Sequence, residues 1–166
     1  MKFIADSMLG RLARWLRLLG CDTLYWPDIE DRRLVRIAGE EDRTLLTRDT
    51  RLVRMRGLRR YLLLHENDTF EQLRKVIKTF DLLDLLGTHP IFSNGNMGCV
   101  PLYPIYSRCS LCNTPLEEVP KEQAKEHVPE YVYLTSDRFR QCPACRKFYW
   151  RGTHTERLRQ KLKEIL

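Results

Sequence analysis

The apolar positions change period along the chain, and each change marks an element. Lys2–Ala5 reads as a short strand, with Asp6 at its C-terminal end. Over residues 8–19, Leu9, Leu12, Ala13, Leu16 and Leu19 recur at helical spacing, with Trp15 on the flank. Arg11, Arg14 and Arg17 fall on the opposite side, and Gly20 is placed to cap the helix in the left-handed conformation. Residues 21–26 return to a β-prone run that Pro27 stops. Asp28 opens a second helical segment with Leu34, Ile37 and Ala38 on one face, and residues 43–47 carry the next strand. A short helix through Leu52 and Val53 ends at Gly57, and residues 61–64 form a fourth strand. Residues 67–69 offer caps for a helix with Phe70, Leu73, Ile77 and Phe80 at core spacing. Strands alternating with helices at these intervals predict an α/β fold, a mostly parallel sheet flanked by helices.

The pattern breaks over residues 88–106, where Pro90, Gly95, Gly98, Pro101 and Pro104 interrupt any period. This stretch reads as a linker between a domain over residues 1–87 and a cysteine-bearing module over 107–166. It lacks the Lys-Ser/Thr ending of a phosphate-binding loop, so its glycines are read as turns. The chain closes on a helix from about Thr155, with Leu158, Leu162 and Ile165 as its stripe and Arg157, Arg159, Lys161 and Lys163 opposite.

At 166 residues there is room for one ordinary domain and a small appendage. Charged residues make up 31% and the net charge is +7, with Arg well ahead of Lys. That balance favours an anionic partner, nucleic acid first, although salt-bridge-rich surfaces share it. No apolar run approaches the length of a membrane span and the N-terminus has no signal-peptide pattern, so no membrane partner and a cytoplasmic location are expected.

Asp6, Asp28 or Asp31, and Asp49 each fall just beyond a predicted strand. In a parallel sheet those strand ends share one edge, so acids distant in sequence converge there. Carboxylates gathered in this way suit Mg²⁺ or Mn²⁺, which prefer oxygen ligands and keep waters for substrate phosphates. The same positions also suit helix caps, Asp28 and Asp49 in particular, and a cap is the simpler account of Asp68.

Cys109-Ser110-Leu111-Cys112 and Cys142-Pro143-Ala144-Cys145 are two CxxC knuckles, the spacing of one tetrahedral structural zinc. The long interval between them is expected to hold strands or a helix near residues 121–127, with His127 and His154 as reserve ligands. Arg146, Lys147 and Arg151 interleave with Phe148, Tyr149 and Trp150, which suits RNA stacking, while Phe148 and Trp150 equally suit a small module's core. Cys21 reads as a buried strand residue, and Cys99 falls in the linker.

Three stretches together resemble the Mut-seven carboxy-terminal ribonuclease family: residues 6–17, then Leu45-Leu46-Thr47-Arg48-Asp49, then the paired knuckles with Tyr149-Trp150-Arg151-Gly152-Thr153-His154. The resemblance covers nearly the whole chain. It implies a PIN-like nuclease domain followed by a zinc ribbon, with divalent-metal-dependent ribonuclease activity. The implied acidic site is Asp6, Asp28 or Asp31, and Asp49, holding one or two Mg²⁺ or Mn²⁺ ions, with Asp6 and Asp49 the leading ligands. RNA, structured or ribosomal RNA included, is the expected partner. Arg14, Arg17, Arg48, Arg146, Lys147, Arg151 and His154 are the expected contacts. The rival expectation is a non-catalytic RNA- or ribosome-binding adaptor on the same scaffold.

Overall fold

A computed structural model describes residues 1–82 and 107–150, together with Gly152, Gln160 and Glu164. The linker, Cys99, Arg151, His154 and most of the closing helix lie outside the described residues. The chain divides into two compact units, Met1–Asn113 and Thr114–Leu166.

The first unit is α/β. Strands β1 (Lys2–Ala5), β2 (Asp22–Tyr25), β3 (Thr44–Thr47) and β4 (Tyr61–Leu63) form a parallel sheet in the order β2-β1-β3-β4. β1 and β3 are central and almost wholly buried, as strands covered on both faces must be. Side chains alternate between the faces. Ile4 and Leu45 pack with Leu34, Val35 and Ala38 of helix α2 (Asp31–Glu40), while Phe3 meets Phe80 edge-on at 5.3 Å. Phe80 follows α3 (Thr69–Thr79), and α3 packs on α1 (Gly10–Leu18) through Phe70 and Trp15, whose rings lie 5.1 Å apart.

The local chemistry accounts for the boundaries. Gly20 adopts φ +86° just past α1, the left-handed stop expected of it. Asp68 caps α3, accepting from the backbone N–H of Phe70 and Glu71 at 2.8 and 3.1 Å. The second helix begins at Asp31 rather than Asp28, because Pro27 and Asp28 are taken up by a turn and Glu30, at the N-cap, is still extended. Residues 52–54 make one 3-10 turn, shorter than the helix expected there.

The second unit holds an antiparallel sheet of β5 (Glu117–Val119), β6 (Phe139–Gln141) and β7 (Phe148–Trp150). Short helices α4 (Lys121–Ala124) and α5 (Glu130–Thr135) occupy the interval between the knuckles. Ala124, Val128, Val132, Phe139 and Phe148 form its small core, with Trp150 packed against it. Phe148 and Trp150 therefore serve the core. No helix among the described residues is long and apolar enough to cross a membrane.

Candidate carboxylate edge and cysteine knuckles

The strand order reverses between β1 and β3, since β2 lies on one side of β1 and β3 on the other. In open parallel sheets the crevice beyond the carboxyl ends at such a reversal is where ligands bind. Asp6 leaves β1 there, and Asp49 follows β3 by two residues. Thr47 joins them: its hydroxyl donates to Asp6 Oδ2 at 2.8 Å and accepts from the Asp49 backbone N–H at 3.0 Å. Ser7 Oγ donates to Asp6 Oδ1 at 3.1 Å.

Asp6 is 6% exposed and makes no side-chain cap, so helix capping does not account for it. Asp49 does serve a turn, because Oδ1 accepts from the Arg51 backbone N–H at 2.7 Å. Asp28 and Asp31 are exposed, and neither joins Asp6 and Asp49 in a group of three or more metal-capable side chains among the described residues. Two carboxylates at one edge still fit Mg²⁺ or Mn²⁺, ions commonly held by one or two carboxylates with water and substrate oxygens completing the shell.

Arg48 stands beside this pair. Its guanidinium donates to Asn67 Oδ1, while its buried Nε–H has no acceptor among the described residues. Arg14 is exposed on α1. Tyr25, at the end of β2, donates its hydroxyl to Ser7 O at 3.1 Å. A Cβ on Gly10 would lie 2.6 Å from that hydroxyl, so glycine at the start of α1 lets the ring close over the turn carrying Ser7.

Arg17 has a different fate from the one its helical spacing suggests. It is 4% exposed, and Nε donates to Thr23 O at 2.8 Å. Its terminal nitrogen donates to Ser110 O at 3.3 Å and Leu111 O at 2.6 Å, both in the first knuckle. Asn113, just past that knuckle, accepts from the Thr23 backbone N–H at 3.0 Å and donates to Asp22 Oδ1 at 2.7 Å. Thr23 lies on an edge strand, and Arg17 with Asn113 satisfies both of its outward backbone groups. The first knuckle is thus fastened along the open edge of β2.

Asp22 also takes Arg43 Nη1 at 2.8 Å. Burial pushes the Asp22 carboxyl up, but the hydrogen bonds from Arg43 and Asn113 and the charges of Arg43 and Arg108 outweigh it and leave the group below its ordinary range. Burial lowers the Arg17 guanidinium, and the nearby Cys109 and Cys112 sulfurs oppose that shift. Thr47, Asp22 and Asn113 carry no signal in the sequence beyond strand and turn, yet they organise both sites.

The two knuckles repeat one local geometry. Asn113 N–H donates to Cys109 O at 3.0 Å and Arg146 N–H to Cys142 O at 2.9 Å. Both donors adopt positive φ, 68° and 63°. Cys145 N–H points at Cys142 Sγ, 3.4 Å away. The ligand atoms of Cys109, Cys112, Cys142 and Cys145 all lie within 4.8 Å of one another. Tetrahedral zinc with Zn–S bonds of about 2.3 Å sets its sulfurs roughly 3.8 Å apart, so the donor set fits a structural zinc ion. His127 lies outside this group and stacks on Phe148 at 5.0 Å. Arg146 and Lys147 are exposed, and the Lys147 ammonium sits 5.9 Å from the Tyr149 ring centre. Cys21 is apart from the knuckles, its thiol pushed up to about 11 by burial and therefore inert.

The family model described as Mut7-C RNAse domain matches residues 1–100 and 91–162. The chain belongs to that family. No curated protein and no solved structure matched it. The four-cysteine group is a set of side chains close enough together to hold a metal ion. Membership makes ribonuclease-like function the general reading and RNA the substrate class.

Proposed function

We propose that this protein is a divalent-metal-dependent ribonuclease whose site is the carboxylate edge. The observation that carries the reading is the Asp6–Thr47–Asp49 connection at the strand-order reversal. Asp6 and Asp49 would hold Mg²⁺ or Mn²⁺. The chemistry such an ion supplies is Lewis-acid activation of water and of the scissile phosphodiester.

The chain's own residues supply the rest. Thr47 fixes the Asp6 carboxylate by donating to Oδ2, and Ser7 steadies the other oxygen by donating to Oδ1. Arg48, with a donor uncommitted, is placed to receive a phosphate oxygen by charge-assisted hydrogen bonding. Arg14, Arg146 and Lys147, exposed and cationic, are proposed RNA contacts, whereas Arg17 is committed to the knuckle. A zinc ion held by the four cysteines would have no open position and would serve structure only.

The test compares wild type, Asp6→Asn and Asp49→Asn on single-stranded RNA with Mn²⁺, Mg²⁺ or EDTA. Cleavage should need metal and fall by a factor on the order of 10² or more in each variant, while RNA binding persists. Metal-independent cleavage equal in all three would remove the site assignment. RNA binding with no cleavage by wild type would instead favour the adaptor.

A further inference from the structure

A groove of about 530 Å³ runs beside α2, lined by Arg32, Arg36, Arg56 and Arg59 and by neither Asp6 nor Asp49. Its floor is Val35 and Met55, with Gly39 and Gly57 leaving the walls low. Arg32 and Arg36 are four residues apart and share one helix face. Arg56 and Arg59 come from the segment that leads into β4, where Gly57 turns the chain at φ +94°. Five arginines fall within residues 51–60, at 51, 54, 56, 59 and 60.

Some arginines elsewhere in the unit are spent on carboxylates. Arg43 pairs with Asp22 and Glu41, Arg60 with Asp42, and Arg51 with Asp49. In the groove the one acid is Glu40, which approaches Arg36 at 3.8 Å in an exposed pair worth little. Arg32, Arg56 and Arg59 have no acidic partner among the described residues. Four guanidinium groups around one carboxylate, above an apolar floor, complement a flexible polyanion that also presents apolar surface. A folded duplex keeps its bases stacked inside and offers less of that surface.

We infer that this groove binds the phosphate backbone of single-stranded RNA as a track leading from the catalytic edge. Because β2 and β3 are parallel, α2 runs from the carboxyl edge of the sheet back toward the opposite edge. Arg32 in its first turn is next to the carboxylate edge, and Glu40 lies about 12 Å further along the helix axis. The strand thus enters or leaves the site over α2, held by planar forks that match phosphate oxygens. This inference rests on the ribonuclease reading and adds where the substrate lies.

The experiment is RNA binding by the full, zinc-loaded chain without added Mg²⁺ or Mn²⁺, as a function of salt, using an unstructured oligonucleotide. For single strands each neutralised phosphate contributes about 0.7 to the slope of log affinity against log salt. Arg32→Gln/Arg56→Gln/Arg59→Gln should lower that slope by about 2 and weaken binding roughly a hundredfold at 0.1 M salt. A matched variant, Lys2→Gln/Lys75→Gln/Lys78→Gln, removes the same charge elsewhere and should leave the slope near the wild-type value. If the triple variant fails to fold, each single Arg→Gln change should still lower the slope by about 0.7. Equal losses in the two sets would reduce the effect to net charge and overturn the track. Wild-type binding and cleavage with an unchanged slope in the groove variant would overturn the track alone. No RNA affinity in wild type would remove both readings.

Discussion

Arg17 and Arg48 flank the same sheet and are used in opposite ways. Arg17 is buried with its donors on three backbone carbonyls, and Asn113 beside it satisfies Thr23 and Asp22. Arg48, next to Asp49, keeps a buried Nε–H that has no acceptor among the described residues. The first region is a scaffold whose polar groups are satisfied within the fold. The second retains donors and acceptors that a ligand would complete. Sites on rigid elements hold geometry best, and here the completed region stiffens β2 while the uncompleted one lies at the sheet's reversal. The difference also fits zinc. A tetrathiolate zinc centre would carry excess negative charge, and the Arg17 guanidinium, bonded to the backbone of the first knuckle, would offset part of it.

The largest effect that would sharpen this contrast is loss of the metal. Structural zinc in small modules contributes on the order of 10–16 kcal/mol of binding free energy. Cys109→Ser or Cys145→Ser should therefore lose stoichiometric zinc by elemental analysis and lower the melting temperature. Full zinc content in either variant would break the four-cysteine assignment.

Next come the two arginines as a matched pair. Arg17→Met leaves three carbonyls without their donor and should cost roughly 2–4 kcal/mol in urea unfolding, with faster zinc release to a chelator. Arg48→Met should cost less than about 1 kcal/mol. Equal costs would erase the distinction between scaffold and site. Thr47→Val is smaller again: losing the bridging hydroxyl should destabilise by about 1–2 kcal/mol and weaken divalent-metal affinity roughly 10- to 100-fold. Unchanged metal affinity by calorimetry would mean that Asp6 needs no such fixing. The smallest change is favourable. Arg146 sits at φ 63°, a conformation Asn tolerates better, so Arg146→Asn should raise stability by about 0.5–1 kcal/mol in thermal unfolding.

The sheet, its flanking helices and the knuckles were legible because each has a local signature. Period-2 and helical runs place Phe3, Ile4, Leu12 and Leu34, and CxxC spacing places the cysteines. Burial of one member of a repeating polar series has no such signature. Arg11, Arg14 and Arg17 share a spacing, yet only Arg17 meets an incoming loop more than ninety residues away in sequence. Thr47 reads as an ordinary β-branched strand residue, and its bridging role follows from register, which pairs Ala5 with Leu46 and so sets Asp6 beside Thr47. Asp28 and Asp31 follow a strand as Asp6 does, but Asp28 falls in the turn with Pro27, Asp31 opens α2, and both are exposed. Sequence placed them at the edge, not within it.

The central claim is that Asp6 and Asp49 share a divalent ion. Crystals soaked in Mn²⁺ and measured at the manganese absorption edge test it most directly. The account predicts anomalous density within coordinating distance of both carboxylates, about 2–2.3 Å, in wild type and its loss in Asp6→Asn. Density confined to Asp28 and Asp31, or a peak at the edge that survives Asp6→Asn unchanged, would contradict it.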